Sequence, residues 1–288
     1  MEEFLILLGP EIEDPEEESF LLFSQSIPSQ DLGFVDSKAT TLELSIGGHD
    51  LTIHQSPTVL SSNRDGGTTG AVVWKVTPLF ASWISASSNI LFQHKIIDAN
   101  STVLELGCGI SGIIGLTLGP HVSEYVLTDQ QYVSKLLNQN LEENRISSSS
   151  TMPKSRSNKA KKQNTAPTTN IHFKTLDWET DEVTSSLSKS ENHHGFDVVI
   201  ACDCIYNDML IKPLVQTSVD ACNLRRSDPE LQPTIVIVGQ QLRSDEVFES
   251  WLKEFHQSFR VWRVPDEYLT DGLRSDSGFV VHVGVLRG

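Results

Sequence analysis

Val103-Leu-Glu-Leu-Gly-Cys-Gly-Ile-Ser-Gly112 is the stretch that decides the fold. Its first four residues are mostly apolar and read as a short buried strand. A glycine turn follows, and Ile113, Ile114, Leu116 and Leu118 read as the apolar side of a helix. Gly107, Gly109 and Gly112 match the spacing GxGxxG, and Asp129 stands twenty residues beyond Gly109 at the end of a second strand, Tyr125-Val-Leu-Thr128. Glycine lets the backbone approach a ligand closely, and an acid in that place can take two ribose hydroxyls. The pattern points to a nucleoside cofactor, although the same glycines also suit a tight turn kept for packing. Glu105 narrows the choice. Two residues before the first glycine, its carboxylate would face the pyrophosphate of NAD or FAD, a like-charge clash. Beside S-adenosyl-L-methionine (AdoMet), which carries a sulfonium and an ammonium and no phosphate, the same carboxylate is favourable.

Working outward, the chain alternates strands and helices. Strand 102–106 precedes helix 111–119, and strand 122–128 precedes helix 131–144. Strands follow at 171–175 and 196–201, then a helix from Asp208 to Cys222, a buried strand Thr234–Gly239 and a helix Asp245–His256. Phe259–Val264 and Phe279–Leu286 have no helix between them, so an antiparallel hairpin at the sheet edge is expected. The fold class is α/β, a seven-strand Rossmann-like sheet, mostly parallel. Before it, residues 41–46 and 50–55 alternate around Gly47-Gly48 and read as a β-hairpin in an N-terminal extension, 1–67. The acidic run Glu11 to Glu18 reads as a solvated segment, and 61–70 as a flexible loop. From Ala71 to Leu91 apolar positions recur at helical spacing, with Pro78 expected to break or kink the helix. Residues 146–170 hold Lys154, Arg156, Lys159, Lys161 and Lys162 and no acid, and read as a disordered basic insertion.

The formal charge of −16 sets phosphates at a disadvantage and suits a basic partner, so direct nucleic-acid binding is not expected. No run reaches transmembrane length, and the five-residue apolar run Phe4 to Leu8 lacks the basic flank of a signal peptide. Cys108, Cys202, Cys204 and Cys222 include no CxxC pair, which argues for reduced thiols in a cytosolic or nuclear protein and against a metal site. Cys202 and Cys204 alternate on an expected strand and so should share one face.

In an open α/β sheet, ligands sit at the carboxyl ends of the strands. Here those ends carry the Gly107-Cys108-Gly109 turn, Asp129, Asp177-Trp178 and Ala201-Cys-Asp-Cys-Ile-Tyr206. Asp177 can accept from an adenine amino group and Trp178 can pack on the ring, or be an ordinary core aromatic. Trp74 can lie near the sulfonium as a cation–π partner or anchor the core. Asp203 and Tyr206 stand where the transferable methyl should be and can orient an acceptor nitrogen, while Asp203 also suits a helix N-cap. Arg243 can bind a backbone or a carboxylate, and His193-His194 read as surface residues.

The ordered set Gly70-Ala-Val-Val-Trp74, Val103-Leu-Glu-Leu-Gly-Cys-Gly109, Thr128-Asp129, Leu176-Asp-Trp178 and Ala201-Cys-Asp-Cys-Ile-Tyr206 resembles methyltransferase family 16 over about residues 68–286. Within it the chain looks most like the fungal ribosomal lysine N-methyltransferase 5 group. The resemblance implies a class I methyltransferase fold at 68–288 and AdoMet contacts from Trp74, the Gly107–Gly109 turn, Asp129, Trp178 and the backbone at Ala201. It also implies that Asp203-Cys-Ile-Tyr206 is the family's acid-x-x-aromatic substrate motif. The basic insertion departs from the pattern, at a place where a helix leads into a strand.

The expected function is AdoMet-dependent methylation of a lysine in a basic protein, by resemblance a ribosomal protein. Two alternatives stay open: a methyltransferase for a small molecule or nucleic acid, and a noncatalytic AdoMet-binding interaction protein. The lack of an Asn-Pro-Pro-Tyr or Asp-Pro-Pro-Tyr run after the fourth strand weakens an amino-base substrate, and Asp203 with Tyr206 weakens the noncatalytic reading.

Overall fold

A computed structural model describes residues 1–28, 32–62, 67–149, 170–189, 195–226 and 231–288. In chain order the elements begin with α1 (Glu2–Leu7), α2 (Pro15–Phe23), the hairpin β1 (Thr41–Ile46) and β2 (His49–His54), α3 (Pro57–Leu60), α4 (Val76–Ile84) and α5 (Ile90–Gln93). The core continues through β3 (Thr102–Leu106), α6 (Ile113–Leu118), β4 (Glu124–Asp129), α7 (Ser134–Ser149), β5 (Ile171–Thr175) and β6 (Val198–Cys202). It closes with α8 (Asp208–Arg226), β7 (Ile235–Gln241), α9 (Asp245–Ser258), β8 (Phe259–Arg263) and β9 (Phe279–Leu286).

The main sheet has seven strands in the order β5-β4-β3-β6-β7-β9-β8. β3 pairs in parallel with both β4 and β6, so the chain reverses its direction of winding there and the ends of these strands flank one crevice. β9 runs antiparallel between β7 and β8, which makes the expected antiparallel edge. Every residue of β6 and β7 is buried, as apolar strands covered on both faces require. One face packs Val103, Tyr125 and Leu127 against α4, α6 and α7. The other packs Leu104, Leu106 and Val199 against α8 and α9.

The N-terminal hairpin lies against α7 through two amides one helical turn apart. Asn140 and Asn144 accept the backbone N–H groups of His54 and Thr52 and donate to the carbonyls of the same two residues, so they act as a partner strand for the edge of β2.

Three expectations need correction. The helix sought from Ala71 begins at Val76, because Pro78 has no N–H to give the Trp74 carbonyl and is tolerated only in a first turn. Residues 73–75 instead pair with Gly33, Phe34 and Val35, through the bridge Phe34–Trp74 and the bonds Val35 N–H to Val73 and Lys75 N–H to Gly33. The acidic run is not merely solvated. Asp14 caps α2, and Glu18 is buried against His282 and Arg263 on the sheet edge. The helix after β4 runs on to Ser149, into the stretch assigned to the insertion. Residues 150–169 of that insertion, 63–66 of the expected loop and His193-His194 lie outside the described residues.

Candidate active site

The crevice at the carboxyl ends of β3, β4, β5 and β6 holds a cavity of about 830 Å³, its open mouth included, at the strand ends where open α/β sheets bind their ligands. Its floor is the turn after β3. Gly107 and Gly109 have φ of +70° and +59°, and neither could carry a side chain. A Cβ on Gly107 would stand 2.7 Å from Cys204 Sγ and 3.1 Å from the Trp178 ring, and one on Gly109 would stand 3.1 Å from the Gly70 carbonyl oxygen. The turn is held by Asp129, whose Oδ2 accepts the Gly109 N–H at 2.8 Å while Oδ1 accepts that of Gln130 at 2.7 Å. A carboxylate has further lone pairs, so Asp129 can hold the turn and still accept from a ligand hydroxyl.

At the end of β5, Asp177 accepts from the Gln130 side-chain amide at 3.2 Å. The neighbouring Trp178 Nε1 is buried with no hydrogen-bond partner among the described residues. An orphaned buried donor beside a cavity is what a ligand acceptor would satisfy.

At the end of β6 the chain turns sharply. Asp203 has φ of +58°, a left-handed conformation that Asp tolerates better than most residues. The turn sends Cys202 and Cys204 into the two opposite core layers, so they do not share a face. Burial pushes the thiols of Cys108, Cys202 and Cys204 well up, with the charges of Asp129 and Asp203 adding to it, so none is a ready thiolate. The Asp203 carboxylate meets Arg243 in a fork, Nη1 to Oδ1 at 2.7 Å and Nη2 to Oδ2 at 2.6 Å. It caps no helix: α8 starts at Asp208, and Asn207 accepts the Met209 N–H. Tyr206 stands at the mouth, 42% exposed.

The cover comes from the segment before α4. Trp74 lines the cavity, with Nε1 bonded to the Thr69 carbonyl at 3.0 Å. The cation over its ring is the Arg243 guanidinium, 5.0 Å from the centroid.

A sequence profile described as lysine methyltransferase matches residues 54–156 and 151–255. The chain belongs to this lysine methyltransferase family. It is 32% identical over 227 residues to ribosomal lysine N-methyltransferase 5 of Zygosaccharomyces rouxii, covering 71% of this chain and 70% of that protein. It is 30% identical over 251 residues to a Schizosaccharomyces pombe protein named diaminohydroxyphosphoribosylamino-pyrimidine deaminase. That match covers 87% of this chain, and the chain spans about half of that relative, 53%. Among solved structures, N-methyltransferase NodS of Bradyrhizobium japonicum in complex with S-adenosyl-L-homocysteine gives a TM-score of 0.40 at 10% identity, over 74% of this chain and 96% of that one.

The cofactor of this lysine methyltransferase is AdoMet, and the cavity suits it. Asp129 offers a carboxylate for ribose hydroxyls, Asp177 and Trp178 offer an acceptor, a donor and a ring face for adenine, and the Gly107–Gly109 backbone leaves room beside them. When bound, the cofactor supplies an electrophilic methyl carbon on a sulfonium. Gly107, Cys108, Gly109, Asp129, Asp177, Trp178, Trp74, Asp203 and Tyr206 all line the cavity. Two residues expected beside the cofactor do not. Ala201 lies inside β6, its backbone engaged between β3 and β7, because the strand runs one residue further than expected. Glu105 projects into the layer behind the turn, where its Oε2 accepts the Tyr125 hydroxyl at 2.7 Å.

Tyr132 and Thr69 were not singled out by sequence, yet both line the cavity. Tyr132 could have been found as an aromatic three residues past the β4 acid. Thr69 is placed by tertiary contacts alone. Among the described residues no group of three or more His, Cys, Asp and Glu could hold a metal ion, and no helix is long and apolar enough to cross a membrane.

Proposed function

We propose that this lysine methyltransferase acts on a lysine of a basic protein, and specifically of a ribosomal protein. The observation that carries the reading is that Trp74, Asp203 and Tyr206 line the same cavity as the cofactor turn Gly107–Gly109, so an amine entering beside them would stand next to the cofactor. The name of the Zygosaccharomyces rouxii relative supports the ribosomal target. The net charge of −16 supports a basic one and disfavours direct contact with nucleic acid. Residues 68–288 make the catalytic domain in this reading, and the buried free thiols suit the cytosol or nucleus.

A lysine acceptor reaches the site as an ammonium and must give its proton to water before its lone pair is available. The chain's own task is then to strip water from the amine, align it and leave it uncharged. Deamination, suggested by the name of the fission-yeast relative, lacks its chemistry here. Zinc deaminases draw ligands from a Cys-x-x-Cys pair, and this sequence has none.

Incubation with labelled AdoMet and ribosomal proteins from cells lacking the enzyme tests the reading. Label on a lysine of one or a few proteins is expected, located by mass spectrometry. Label confined to RNA or to small molecules would overturn it.

A further inference from the structure

Arg243 lies just behind the cavity lining, and three parts of the chain converge on it. Its guanidinium holds both oxygens of Asp203, at 2.7 and 2.6 Å. It stacks over Trp74 at 5.0 Å, and the Phe34 ring packs on the same tryptophan at 4.5 Å between centroids. The backbone at Gly33 approaches it closely as well: a Cβ there would stand 2.7 Å from Arg243 Nη2. The Asp203 side chain is only 2% exposed, against 24% for Arg243. A carboxylate so deeply buried keeps its charge only with a close partner, and a planar guanidinium fits both oxygens as no ammonium can.

We infer that Arg243 is a positioning residue that sets the charge of the acceptor site. It fixes Asp203 against Trp74 and cancels its charge, so that an entering amine meets an oriented acceptor and not a free anion. The inference rests on the proposed lysine acceptor and explains a conflict within it. A free buried carboxylate beside the amine would bind it as ammonium and hold back the proton that must leave to water. A carboxylate already paired with a guanidinium can still accept a hydrogen bond from the neutral amine. The other titratable groups lining this cavity are Asp129, Asp177, Tyr132, Tyr206, Cys108, Cys202 and Cys204. Asp129 is engaged with the Gly109 and Gln130 N–H groups, and its charge, like that of Asp177, is common to every variant below.

The probe is n-butylammonium, the end of a lysine side chain, titrated by NMR into protein saturated with S-adenosyl-L-homocysteine. Arg243→Gln uncovers the carboxylate and should bind the cation at least about tenfold more tightly than the natural protein, a gain of about 1.4 kcal/mol. Adding Asp203→Asn should erase the gain. Structural damage weakens binding and does not produce a gain that depends on a second residue's charge. An Arg243→Gln protein that binds no more tightly, or a gain that survives Asp203→Asn, overturns the inference. Should melting curves show Arg243→Gln unfolded, Asp203→Asn alone carries the test: it leaves the guanidinium without its anion, so the cation should bind about tenfold less tightly than it does to the natural protein, and unchanged binding overturns the inference. Failure of the lysine reading shows separately. Natural protein that labels no lysine in the ribosomal-protein incubation, while the butylammonium pattern holds, removes the reaction and leaves the charge assignment standing.

Discussion

The hydroxyl of Thr69 donates to the hydroxyl of Tyr206 at 3.0 Å, joining the cover of the cavity to the strand end that carries the acceptor motif across 137 residues of sequence. The same turn is bonded twice more. The Gly70 N–H donates to the Tyr132 hydroxyl at 3.0 Å, and the Gly70 carbonyl accepts the Ile110 N–H at 2.9 Å. The segment leading to Trp74 is therefore fastened to the loops after β3, β4 and β6 together, and the shape of the cofactor cavity and that of the acceptor mouth are set by one turn.

Tyr206→Phe keeps the ring and removes only the hydroxyl. Turnover should fall about tenfold or more, since one hydrogen bond present in the transition state is worth about 1.4 kcal/mol or above. Affinity for AdoMet should hardly change. Thr69→Val separates two causes, because it cuts the tie to the cover and leaves the Tyr206 hydroxyl free for the amine. Initial rates on a labelled ribosomal-protein substrate give the answer. Equal loss in both variants would mean that the hydroxyl acts through the cover, and full activity in Tyr206→Phe would remove it from the acceptor site.

Asp129→Ala should weaken AdoMet binding by about 1.5–3 kcal/mol, the range for charged hydrogen bonds. Part of that loss comes from the turn itself, because Gly109 and Gln130 lose their acceptor. Asp129→Asn keeps one oxygen for the turn and should lose less. Calorimetric titration checks both variants, and unchanged affinity in Asp129→Ala would remove the residue from the site.

The sheet was legible because its signals are local. Buried parallel strands such as Val198–Cys202 are short apolar runs, and a glycine turn followed by an apolar helix face leaves few alternatives. Asp129, Asp177 and Trp178 line the cavity because they stand at strand ends, where such sheets bind ligands and where sequence alone can point. What sequence did not reveal depends on partners remote in the chain. Nothing near Arg243 says that it will hold Asp203, forty residues away. The acidic run around Glu18 looks solvated until His282 is placed opposite it. Glu105 was misplaced because spacing fixes its strand position but not which layer its side chain enters.

Glu105 gives a test with a defined sign. It is almost fully buried, and burial, with the Asp129 charge adding and the Tyr125 hydrogen bond opposing, pushes its carboxyl up to about 7. Between the ordinary value of 4.5 and about 7 the folded protein holds a proton that the unfolded chain has released, so stability falls as pH rises through that window. At about 1.4 kcal/mol per unit the loss is about 3 kcal/mol at most. Glu105→Gln keeps the shape and cannot ionise. Its melting temperature should exceed that of the natural protein at pH 8 and match it near pH 4.5, with AdoMet affinity little changed because the side chain does not line the cavity. Equal melting temperatures at pH 8 would show that the carboxylate is ionised in the fold at little cost, and a large loss of AdoMet affinity would return Glu105 to the cofactor site.

The docking of the N-terminal segment should depend on pH in the opposite sense. Glu18 lies 3.2 Å from His282 Nε2 and 3.3 Å from Arg263 Nη1, in a pocket where His282 is fully buried. Burial alone would raise the carboxyl, but the His282 hydrogen bond and the charges of His282 and Arg263 outweigh it and hold the group below its ordinary value. A carboxyl lowered on folding contributes stability above its unfolded value of 4.5, and that contribution is lost as pH falls through the folded value. Glu18→Gln keeps the volume and removes the charge. It should destabilise the protein at pH 7 by about 1–3 kcal/mol, the cost of leaving buried partners without their ion. The deficit should shrink as the pH is lowered below about 4.5, where the natural protein loses the same charge. AdoMet binding should be untouched, since α2 packs on α9 and the outer edge of the sheet, away from the crevice. Chemical-denaturation curves at several pH values distinguish the outcomes: a constant deficit from pH 7 downward would assign Glu18 a packing role, and the absence of any deficit at pH 7 would mean that α2 is held by Leu22 and its apolar neighbours alone.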